Sequence, residues 1–167
     1  MVCRPCNETL DRPVFVQGIL VHYGVTSENA QSRKRALQAA YGRKVNRIEV
    51  LQSLYEELMI GADDLTRSRL LIGKAVDYYR GGVDPFPVKE EIATMRLLSL
   101  RTGWAQIVSQ RNSCESCRSL DGTVLAVEEA LQEMPIPCKA CVYGVSKTEP
   151  FAWCRCMYIA VRNPRCR

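Results

Sequence analysis

The sequence predicts an α+β protein, a mainly helical N-terminal body followed by a small cysteine-rich β module. Between residues 26 and 103, apolar side chains recur three or four apart in four stretches, most with a polar start and a glycine stop. Beyond residue 103 that period gives way to short β-prone runs. Six of the nine cysteines then follow in close pairs. The expected organisation is an extended N-terminal segment over 1–25, a helical domain over 26–103 and a cysteine-rich module over 104–167. With 167 residues and 47% hydrophobic content, the chain is long enough to bury a core.

Residues 14–22 are rich in Val, Ile and Phe and read as a strand or extended segment leading to a turn at Gly24. Thr26 or Ser27 offers an N-cap for a helix that Gly42 stops. A second helix over about 45–60 places Ile48, Leu51, Leu54, Tyr55 and Leu58 on one face. A third, over about 64–80, starts at Asp63 or Asp64, turns Leu71, Ala75 and Tyr78 or Tyr79 inward, and stops at Gly81-Gly82. The prolines of "DPFPV" keep residues 84–88 extended. A fourth helix over about 88–102 is expected to bury Ile92, Met95, Leu97 and Leu98 and to close at Gly103. "WAQIVSQ" and "CMYIAV" read as strands, and "TVLAVEEALQEM" as a strand turning into a short helix. His22, the single histidine, reads as a packed or edge residue.

The cysteines form three C-x-x-C pairs, Cys3/Cys6, Cys114/Cys117 and Cys138/Cys141, and one C-x-C pair, Cys154/Cys156; Cys166 stands apart. Tetrahedral zinc takes four thiolates, and two tight turns with two ligands each supply them with little extra ordering. The twenty residues between Cys117 and Cys138 suit paired zinc-binding turns. Such a zinc would be structural, because a catalytic zinc keeps an open position and favours His or carboxylate ligands. It would supply folding free energy that a turn-rich segment cannot draw from burial, as in a zinc-ribbon-like module. Disulfides formed late in an oxidising setting are the competing reading, against which stand the odd count and the poor geometry of neighbouring C-x-x-C thiols. A redox pair is disfavoured, since Asp121-Gly122 after Cys117 signals a turn rather than a βαβ unit.

The net charge is +5, and its placement is uneven. Arg33, Lys34, Arg35, Arg43, Lys44 and Arg47 follow one another without an intervening acid, and Arg155, Arg162, Arg165 and Arg167 close the chain. These runs either face a polyanion, such as nucleic acid or an acidic partner, or form solvated basic surfaces. No apolar stretch suggests a signal peptide or a membrane span. No nucleophile elbow, P-loop or histidine-bearing metal motif appears, and the chain is not expected to be an enzyme.

Read together, "WAQIVSQRNSCESCRSLDGTVLAVEEALQ" and "WCRCMYIAV" resemble the C-terminal segment of the head morphogenesis proteins of tailed bacteriophages, the minor head or minor capsid family that includes the phage Mu F protein. The shared pattern is a strand, C-x-x-C-x-x-L-D-G, a hydrophobic stretch, and C-R-C before a closing strand. It covers residues 104–161, and the helical part before it adds little to the likeness. The family usually has His-Pro before its C-R-C; here "PFAWCRC" lacks the histidine, and "PCKAC" adds a pair. Cys138 or Cys141 then takes the histidine's place, and Cys3 and Cys6 complete a second site or stay outside one. The resemblance implies a virion protein made in the host cytoplasm. It would be a minor head or neck component acting in head assembly, with portal, capsid or neck and tail subunits and packaged DNA as partners, in a homo-oligomeric ring. A zinc-ribbon nucleic-acid-binding regulator is the alternative.

Overall fold

The computed structural model describes Val14 and residues 16–110, 113–139 and 156–163. It is an α+β protein, mostly helical, with one three-stranded antiparallel sheet. The chain divides into two compact units, Met1–Pro85 and Phe86–Arg167.

In the first unit, α1 (Ile19–His22), α2 (Ser27–Tyr41), α3 (Arg47–Met59) and α4 (Asp64–Arg80) follow one another. The starts of the three long helices are set locally. Thr26 and Asn29 form a reciprocal capping box on α2, Asn46 and Glu49 another on α3, and Asp63 accepts the Thr66 N–H at the start of α4. Gly42 ends α2 in the left-handed region, at φ 63°, where a Cβ would be strained. The core gathers Leu20, Ala30, Val45, Val50, Leu51, Leu54, Tyr55 and Leu70.

Residues 14–22 correct the expected strand. Gly18 turns the chain and Ile19–His22 makes a single helical turn. Tertiary packing overrides the β-branched composition: Leu20 is buried, and Ile19 lies where a Cβ on Gly73 would be 1.9 Å from its Cγ2. Glycine in the middle of α4 therefore admits α1 against it. His22 is exposed and meets the Tyr23 ring edge-on, with centroids 5.3 Å apart.

The second unit runs α5 (Phe86–Leu98), β1 (Trp104–Val108), α6 (Glu115–Arg118), β2 (Val124–Ala126), α7 (Val127–Glu133) and β3 (Met157–Ala160). The helix expected to close the N-terminal helical domain thus belongs to the same unit as the sheet, and the division falls at Pro85 rather than near residue 103. Pro87 sits in the first turn of α5, where its missing N–H breaks no bond, so the helix begins two residues earlier than expected. Its end differs too. α5 stops at Leu98, and Leu98 is 68% exposed, whereas Leu97 is fully buried. Leu97 and Leu98 point about 100° apart on a helix, so only one can enter the core.

The strand order is β2-β1-β3, both pairings antiparallel, with Ala105 opposite Leu125 and Ile107 opposite Tyr158. Ala105, Ile107 and Tyr158 face the core with Leu97, Ala130 and Ile136. The Tyr158 hydroxyl donates to the Ile136 carbonyl and accepts the Ile136 N–H, both at 3.3 Å. That pair ties the segment after α7 to the closing strand.

Candidate functional site

The C-x-x-C-x-x-L-D-G stretch closes a tight excursion between β1 and β2. Cys114 is the N-cap of α6, and its carbonyl accepts the N–H groups of Cys117 and Arg118. Cys117 is fully buried. Each residue of Leu120-Asp121-Gly122 has a physical task. Leu120 packs on the core of the second unit, and Asp121 Oδ1 accepts the Ser109 N–H at 2.6 Å. Gly122 adopts φ 78° and donates its N–H to the Ile107 carbonyl, which returns the chain to the sheet.

The register of β3 decides where the second half of the motif lands. Met157 pairs with Val108, the last residue of β1, so Cys156 lies just past the strand end from which the cysteine turn departs. There, Cys156 Sγ is 3.3 Å from Ser113 Oγ, and Ser113 Oγ accepts the Gln110 N–H at 2.9 Å. The residue preceding Cys114 thereby touches a sulfur more than forty positions along the chain. Cys138 is half-buried two residues after Ile136, the residue held by Tyr158. Cys3, Cys6, Cys141 and Cys154, and with them Arg155, lie outside the described residues. Among the described residues, no three His, Cys, Asp or Glu side chains form a group able to hold a metal. Cys114 and Cys117 lie on one turn, and Ser113, the residue before it, touches Cys156.

Folding draws much of the basic run into the protein's own contacts. Arg33 pairs with Glu57 across α2 and α3. Arg43 pairs with Glu49 at 2.5 Å and lies over the Tyr41 ring. The Arg43 hydrogen bond holds the Glu49 carboxyl below its ordinary value, and Glu49 in return raises the guanidinium. Lys34 is buried, at 4% exposed. Arg35 and Lys44 are exposed and Arg47 is half-buried, with Asp77 and Tyr55 within its electrostatic reach. In the second unit, Arg162 is exposed just after β3. Of the six cations of the run, Arg33 and Arg43 are thus ion-paired within the fold and Lys34 is buried. Beside the Arg33–Glu57 pair lies an open groove of about 370 Å³ between α2 and α3, with Val25, Leu54 and Leu58 in its lining.

Ser113 and Tyr158 are the side chains that organise this region without having been singled out by sequence. Each has a partner distant in the chain, Cys156 for Ser113 and Ile136 for Tyr158. Among the described residues, no helix is long and apolar enough to cross a membrane. The chain matches no family model, no curated protein and no solved structure.

Proposed function

We propose that this chain is a structural virion protein of a tailed bacteriophage, a minor head or neck component that docks onto portal or neighbouring subunits, with structural zinc in its second unit. The observation that carries the reading is the Ser113–Cys156 contact. It supports treating C-x-x-C-x-x-L-D-G and C-R-C as two halves of one site, which is the pattern the family resemblance rests on. Cys114 and Cys117 would supply two of the metal's thiolates, with the others drawn from the remaining paired cysteines, and the module would have a zinc-ribbon-like character. Bound zinc would supply folding free energy to a unit whose described residues form three short strands.

The alternative, a zinc-ribbon nucleic-acid-binding regulator, draws less support. Arg33 and Arg43 are ion-paired within the fold and Lys34 is buried, so the run offers few cations to phosphates. Two experiments test the proposal. Elemental analysis of the purified protein should find zinc, and mass spectrometry of purified virions should find the chain at low copy number. A chain absent from virions that shows a strong, salt-dependent duplex gel shift would replace this reading with the regulator.

A further inference from the structure

We infer that the turn between α2 and α3 is a docking surface for an acidic segment of a partner protein, anchored on Tyr41 and Arg43. The inference rests on the docking reading above and names the surface and the chemistry that it meets. The Arg43 side chain is 56% exposed, yet it is held from three directions. Its Nη2 donates to Glu49 Oε1 at 2.5 Å, its Nη1 donates to the Lys44 carbonyl at 3.0 Å, and the guanidinium lies over the Tyr41 ring, 5.3 Å from the centroid. Glu49 is fixed in turn, because its other oxygen accepts the Asn46 N–H at 2.7 Å. Tyr41 itself is 56% exposed.

An exposed tyrosine and arginine already held in one arrangement lose little freedom on binding, which is the character of an interface anchor. The charge around them is positive. Residues 41–49 hold Arg43, Lys44 and Arg47 against one acid, Glu49. From the end of α4, the exposed Arg80 reaches the same Asp77 carboxyl as Arg47. A partner's carboxylate meets this positive field, and an apolar or aromatic side chain beside it meets the Tyr41 ring. A nucleic-acid strand fits less well, since tracking one takes a run of cations and successive stacking rings. Here Arg33 is paired with Glu57, Lys34 is buried, and the turn carries one ring.

The test titrates the full chain at low salt with poly-L-glutamate, a glutamate–tyrosine copolymer and oligothymidylate. Amide NMR shifts locate binding, and calorimetry measures affinity. The copolymer should bind more tightly than the other two probes, with shifts centred on residues 41–47. Tyr41→Ala and Arg43→Ala should each weaken it about 10-fold. Arg43→Lys should fall with Arg43→Ala, because an ammonium lacks the planar fork that reaches Glu49 and the Lys44 carbonyl together. Arg162→Ala removes an equal charge just after β3, in the other unit, and should bind as the wild type does. If Arg43→Ala does not fold, Tyr41→Ala and Arg43→Lys decide by the same readouts. No binding of either acidic polymer, tighter binding of oligothymidylate, an equal loss in Arg162→Ala, or wild-type affinity in Tyr41→Ala or Arg43→Lys overturns the inference. Detection in virions tests the docking reading separately, so a chain found there that ignores both acidic polymers keeps that reading and loses this one.

Discussion

The Tyr55 hydroxyl donates to Asp77 Oδ2 at 2.7 Å inside the first unit, joining α3 to α4 where both residues are buried. Burial raises both groups above their ordinary values, so the pair is held as a neutral donor facing a carboxyl that resists ionisation. Asp77 is 3% exposed on a helix otherwise read for its apolar stripe. Its partner is what makes that burial tolerable, because an unmatched buried acceptor costs its full desolvation.

Tyr55→Phe removes the donor and leaves the carboxyl in place. The expected loss is about 1–3 kcal/mol of unfolding free energy, read by chemical denaturation. A variant as stable as the wild type would show that the bond contributes nothing net.

The same pair predicts a pH dependence. Burial pushes the Asp77 carboxyl up from its ordinary 3.8, against the pull of the Tyr55 bond and of Arg47 and Arg80. Between the unfolded and folded values the folded state holds the proton that the unfolded chain has released, so stability falls as pH rises. The contribution is full below 3.8 and is lost as pH passes through the folded value. Relative to Asp77→Asn, the wild type should therefore weaken with rising pH and then level off, in denaturation series across the acidic range. A difference that grows with pH contradicts the assignment.

Gly73→Ala should push α1 off α4. The added Cβ would lie 1.9 Å from Ile19 Cγ2 and 3.0 Å from the Tyr55 hydroxyl. Overpacking of this kind costs about 1–3 kcal/mol, which outweighs the roughly 1 kcal/mol gained in helix propensity. Ile19→Ala in the same chain should recover part of the loss, and a double-mutant cycle measures that coupling. Additive single and double variants would place α1 elsewhere.

In the cysteine turn, Asp121→Ala removes the acceptor of the Ser109 N–H, and Gly122→Ala forces a Cβ onto φ 78°. Each should cost about 1 kcal/mol, read as a lower melting temperature of the second unit. Cobalt or zinc content should be retained, since neither residue offers a ligand in the proposed site. Loss of metal without loss of stability would reverse their roles.

Removal of the proposed zinc, or Cys117→Ser at a fully buried position, should release amide protection across Ala105–Val108 while protection around Tyr55 and Asp77 persists. Hydrogen exchange followed residue by residue separates the two units. Uniform protection before and after chelation would remove zinc from the account of how the second unit folds.

By itself, the sequence determined the elements whose instructions are local. Thr26, Asn46 and Asp63 cap helices with donors three residues away, Gly42 and Gly122 supply positive φ, and β1, β2 and β3 carry their own β-prone composition. It also brought forward the cysteine pattern, although Cys3, Cys6, Cys141 and Cys154 fall outside the described residues. Tertiary structure alone decided that residues 19–22 coil against Gly73, that Leu97 rather than Leu98 enters the core, and that Arg33 and Arg43 meet glutamates. It alone placed Ser113 against Cys156 and Tyr55 against Asp77. Caps and glycines act within a turn of chain, so composition reveals them. A buried hydrogen bond between distant segments depends on register and packing, which no short window of residues contains.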